Sequence, residues 1–127
     1  MCVVESDEVI RRLVAAATTF GPKWAEHEAF SVGHYHDAAE VARHVVALMG
    51  AHCLDEVGAV FAEVERLLSE EISPEARTLL AIGFLEDVQT IGMNTSGVGT
   101  SNFAPLLGPV MLTAWIEVHG FWGTDDD

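Results

Sequence analysis

Three histidines stand close together in the stretch EHEAFSVGHYHD: His27, His34 and His36, interleaved with Glu26, Glu28 and Asp37. Imidazole and carboxylate are the groups that hold zinc and its neighbours, three or four of them at about 2 Å from the ion. A hydrolytic centre usually sets two of its ligands on one rigid helix, as in His-Glu-x-x-His. His34 and His36 are two apart in a stretch with no helical period, and they form no such pair. Metal binding through His27, His34 and His36 is therefore the alternative reading of this segment, and the leading reading has no metal and no other cofactor.

A second pair of chemical interest is Glu86 and Asp87, adjacent carboxylates at the end of the apolar run LLAIGFLEDVQ. Neighbouring residues of a helix point about 100° apart, so the two acids cannot face one pocket as a catalytic dyad would. One is expected to hold the following loop by accepting hydrogen bonds from backbone around residues 94–101, and the other to meet solvent or a partner. The chain has no Gly-x-Ser-x-Gly elbow, and TSGVGTS follows no strand, as a nucleophile turn or phosphate cradle would require. With Lys23 the one lysine of the chain, that loop has no counter-charge for phosphate. No enzymatic activity is expected.

The charge balance points to binding instead. Twenty Asp and Glu against six Lys and Arg give a net charge of −14 in 127 residues. Such a field repels nucleic-acid backbones and anionic lipid and favours a basic protein partner. Aromatic side chains carry much of the energy at interfaces, so Trp24 and Tyr35 beside acids are candidate anchors. The expected contact residues are Trp24, Glu26, Glu28, Tyr35 and Asp37 in one segment, and Glu86, Asp87, Asn94, Ser96 and Asn102 around the later loop.

The elements that must position these groups are helical. Val9, Ile10, Leu13, Val14, Ala17 and Phe20 form one apolar stripe, which Gly21-Pro22 is expected to stop. Residues 21–36 read as a connector. Asp37 and Glu40 have the spacing of a capping box for the next helix, with Val41, Val45, Leu48, Met49 and His52 inward and a break near Gly50. Leu54, Val57, Val60, Phe61, Val64, Leu67 and Leu68 give the most regular stripe. Ser73-Pro74-Glu75 opens a further helix, apolar on every side from Leu79 to Leu85, where Gly83 admits a close neighbour. Pro109 opens a last helix, whose Val110, Met111, Ala114, Trp115, Val118 and Trp122 can close the core.

The expectation is an all-α single domain over 1–127, about five helices in a compact bundle or two stacked hairpins. Residues 93–108 form a loop and 123–127 an acidic tail. No N-terminal leader or run of about 18 apolar residues is seen, which suggests a cytoplasmic protein, with Cys2 and Cys53 as reduced thiols.

The segment EISPEAR followed by LLAIGFLEDVQ, in an acidic helical chain of this length, resembles an uncharacterised bacterial family of small stand-alone proteins. Some of its members have the look of immunity proteins of polymorphic toxin systems. The recurrent feature is an apolar helix ending in Leu-Glu-Asp, matched here by Phe84, Leu85, Glu86 and Asp87. The resemblance implies a non-catalytic antitoxin that occludes a cognate basic toxin or effector, as a monomer or weak homodimer. Besides the metal-binding alternative stands a self-associating regulatory module.

Overall fold

Helix α1, Ser6–Ala16, buries Val9, Ile10 and Leu13, and sets Asp7 and Glu8 at its positive end. In the computed structural model, which describes residues 3–29, 31, 33–95, 103 and 105–121, this helix ends at Ala17. A 3-10 turn, Thr18–Phe20, leads directly into α2, Gly21–Glu28, with Pro22 in its first turn. The expectation that Gly21-Pro22 stops a helix is thereby corrected. Proline's missing N–H costs nothing in a first turn, where that donor has no partner within the helix, so the dipeptide starts α2 instead.

The supposed connector is thus mostly helix, because α3, His34–Gly50, begins three residues before Asp37. Its N-terminal flank is Gly33 at φ +145, a conformation in which a side chain would be strained. Asp37 lies inside the first turn of α3 rather than capping it. After Gly50 the chain turns through His52, which has φ +62 and is exposed rather than inward. Helix α4, Leu54–Ser69, buries the expected stripe from Val57 to Leu68, but Leu54 at its start stays exposed.

The link to the next helix is tied to the N-terminal segment. Val4 N–H donates to Glu71 O at 3.0 Å and Ser73 N–H to Val4 O at 2.9 Å, and the resulting isolated bridge to Ile72 is the one β contact among the described residues. Ser73 Oγ accepts the Ala76 amide at 3.1 Å, as its N-cap position predicts. Segments α5, Pro74–Thr78, a π-helix, Leu79–Leu85, and α6, Glu86–Met93, then run on as one rod. The wider π turn buries Leu79, Leu80, Gly83, Phe84 and Leu85. Ile82 falls on the outside, 43% exposed, so the run is not buried on every side.

Helix α7, Pro109–Phe121, turns Met111, Trp115 and Val118 inward and leaves Val110 outward; Trp122 lies outside the described residues. Helix α3 packs on α1, α4, the π segment and α6, and α4 also touches α1 and α7. Phe103 is buried, its ring 5.8 Å from those of both Phe61 and Trp115. The fold is all-α, with six rods among the described residues when the Pro74-initiated one counts once. The rod not foreseen is α2.

Candidate functional site

Gly33 lets α3 begin at once, which places Tyr35 in its first turn over the π segment. A Cβ on Gly83 would meet the Tyr35 ring at 3.1 and 3.2 Å and Leu79 Cδ1 at 3.3 Å. The close neighbour expected at Gly83 is therefore an aromatic ring. Tyr35 remains 51% exposed, so the ring is propped on the rod with its outer edge in solvent.

One turn along the rod, Glu86 and Asp87 sit half-buried at the start of α6. Burial first, and the neighbouring Glu86 charge second, push the Asp87 carboxyl up to about 6, against the pull of Arg43 on α3. Neither carboxylate is seen to hold a loop among the described residues. Asn94 follows α6, exposed, and donates from Nδ2 to Thr90 O at 2.9 Å. Ser96 and Asn102 lie outside the described residues. Tyr35 and Ile82 supply exposed apolar surface on this stretch, and Glu86 and Asp87 supply half-buried acids of which Arg43 acts on one.

The other predicted residues gather where α2 meets α3. His27 Nε2–H donates to Asp37 Oδ1 at 2.8 Å, and Ser31 Oγ–H donates to the same oxygen at 2.7 Å. Asp37 is only 5% exposed, which removes it from the outer surface and makes it a tie between helices. Trp24 packs half-buried against the core, its ring 5.6 Å from that of His27. Glu26 and Glu28 are exposed on α2, and Glu28 borders a shallow groove of about 310 Å³ with Asp7, Arg11, Trp24 and His34.

His36 has a helical neighbour that the reading of His34 and His36 does not include: Glu40, four residues on, along α3. His27, His36 and Glu40 each present a ligand atom within 4.8 Å of the other two. His34, exposed, stands outside that group. The signal for Glu40 is the i, i+4 spacing in His-x-x-x-Glu, which the lack of an apolar helical period across residues 34–36 hides.

A further cluster went unforeseen. Thr19 donates to Glu56 Oε2 from its amide at 2.9 Å and its hydroxyl at 2.6 Å, and His44 Nε2 lies 2.8 Å from the same hydroxyl oxygen. The hydroxyl proton points at Glu56, so His44 Nε2–H is the donor to Thr19, and burial first holds the His44 pKa below its usual value. A base that donates to the hydroxyl does not activate it. The cluster fastens the Thr18–Phe20 turn to α3 and α4.

The cations of the chain are largely spent internally. Arg11 pairs with Asp7, Arg12 with Glu8, Glu63 and Glu70, Arg43 with Glu40, and Arg66 with Glu63. Arg77 donates to Leu68 O at 3.2 Å. None of the helices described is long and apolar enough to cross a membrane.

No curated protein and no solved structure matches this chain. A family model does, across residues 10–123, a span that takes in every helix but the first turn of α1. The chain belongs to the family described as a domain of unknown function, DUF7674.

Proposed function

We propose that this protein is a non-catalytic immunity protein or antitoxin that binds and occludes a basic effector. The observation that carries this reading is the half-exposed Tyr35 ring held on Gly83 beside Ile82, one turn from Glu86 and Asp87. A propped aromatic can bury itself in a partner at little entropic cost, and the surrounding acids steer a cationic surface toward it. The net charge of −14 extends that attraction beyond the contact patch. Occlusion of a basic active-site surface by this patch would need no chemistry from the chain itself.

The test is capture with tagged protein at low and high salt, followed by co-expression of any basic protein captured to score growth protection. A basic toxin bound at low salt, released at high salt and neutralised in cells is the expected result. Tyr35→Ala should weaken that complex by about 2 kcal/mol, as loss of an aromatic anchor does. Replacing Glu86 and Asp87 by their amides should slow association more than it speeds dissociation. Absence of both capture and protection would overturn the reading.

A further inference from the structure

The junction of α2 and α3 carries a second set of chemical groups that the proposed contact patch does not use. Helix α2 has no fully buried residue. Its Trp24 packs half-buried on the core, and it is tied to α3 through His27, whose Nε2–H is fixed by Asp37 at 2.8 Å. A carboxylate can only accept there, so the proton of neutral His27 sits on Nε2 and the lone pair on Nδ1 is left for another ligand. The ring of His36 lies across that of His27, centroids 4.8 Å apart and planes tilted by 30°. Glu40 follows His36 by one helical turn, with its Oε2 held by Arg43 at 2.7 Å.

We propose that His27, His36 and Glu40 form a binding site for one divalent transition-metal ion, zinc foremost. Two imidazoles and a carboxylate are the borderline N and O donors that zinc, cobalt and nickel select, whereas calcium and magnesium require oxygen. The three ligand atoms lie within 4.8 Å of one another. Tetrahedral zinc with ligands at about 2.0–2.1 Å needs them about 3.3 Å apart, a closure that rotation of the exposed His36 and the half-buried Glu40 can supply.

The outer contacts are those of a working metal site rather than of a chance acidic cluster. Asp37 orients the His27 ring from behind and Arg43 orients the Glu40 carboxylate, which are the supports that fix tautomer and ligand geometry. With three protein ligands, a fourth position stays open to water. The ion would clip α2 onto α3, because His27 belongs to one helix and His36 and Glu40 to the other.

The experiment is a chelator-competition titration of the purified full chain with zinc alone and with cobalt alone, read alongside the melting temperature. One equivalent should bind, with a rise in melting temperature on loading and a visible cobalt spectrum. His36→Ala and Glu40→Gln lie on the surface side of the site, so the fold should persist as judged by circular dichroism. Each should weaken zinc at least about tenfold, the loss that even an indirect support of a metal commonly causes. His34→Ala should leave affinity unchanged. Binding well below one equivalent, or affinity that His36→Ala and Glu40→Gln leave at the wild-type value, would overturn the proposal.

Discussion

Glu65 on α4 caps the last helix of the chain, accepting the Met111 amide at 2.8 Å on Oε1 and the Val110 amide at 3.0 Å on Oε2. Pro109 has no amide to offer and Gly108 no side chain to cap with, so the first free donors of α7 are satisfied from another helix. A Cβ on Gly108 would stand 2.5 Å from Glu65 Cδ and Oε1. A side chain at 108 would displace that carboxylate, while the backbone angles of Gly108 make no demand for glycine.

Glu65→Ala and Gly108→Ala should therefore remove the same interaction. Each is expected to lower the unfolding free energy by about 1 kcal/mol, the usual value of an N-cap, in urea denaturation. The double variant should cost scarcely more than either single one, because the cap can be lost only once. Full additivity would show that the two residues act separately.

Gly83 and Tyr35 should couple as well, through a steric conflict rather than a shared cap. Alanine in place of an interior helical glycine normally stabilises by about 0.5–1 kcal/mol, but here its methyl must displace the Tyr35 ring. Gly83→Ala alone should be near neutral in thermal unfolding and should weaken partner capture by moving the ring. In a Tyr35→Ala background the same substitution should give its full stabilisation. Equal effects in both backgrounds would mean that the ring does not rest on Gly83.

What the sequence made legible was local. The α4 stripe from Val57 onward, the Ser73 cap and the Pro109 start depend on residues within a turn of one another, and each lies where the spacing puts it. Helix α2 was hidden because proline is written the same way at a stop and at a first turn; only the position of the preceding bend, at Ala17, distinguishes them. The π segment was hidden because a run apolar at nearly every position fits any period, including one that sets Ile82 outside. The Glu65 cap and the His27–Asp37 tie join residues on different helices, and no local pattern encodes such pairs. The acids at 86 and 87 stand out at the end of an apolar run, while the spacing of Asp37 and Glu40 points to a cap that the earlier start of α3 makes unnecessary.

Arg12 is the cation with the most partners among those described, donating to Glu63 and, through both terminal nitrogens, to Glu70. Burial alone would raise the Glu63 pKa, but Arg66 and Arg12 together hold it below the usual carboxylate value; Glu70 is held down chiefly by Arg12. Arg12→Met should cost about 1–3 kcal/mol near neutral pH, since it leaves the mostly buried Glu63 with Arg66 alone. Depressed carboxylate pKa values add stability above the unfolded value of 4.5, lost as pH falls through the lower folded values. The gap between wild type and variant should narrow in that acid window. A gap independent of pH would assign the loss to packing of the arginine stem instead.

Asp87 should behave in the reverse sense. Its carboxyl titrates at 3.8 when unexposed to the fold and at about 6 within it, so the native state holds the proton more tightly. Stability from this group is greatest when it is protonated, falls as pH rises between those two values, and is level above them. Asp87→Asn should accordingly stabilise the protein at neutral pH by about 1–2 kcal/mol, less than the full shift would give because the site is only half-buried. The gain should shrink as pH falls through that window and vanish below 3.8, where Asp87 is neutral in both states. In a complex with a basic partner the facing cation would lower this pKa again, so association near pH 6 should release up to about half a proton. Calorimetry in two buffers of different ionisation enthalpy reads that release directly. A wild-type complex that frees no proton at that pH would place Asp87 outside the contact, even if capture itself succeeds.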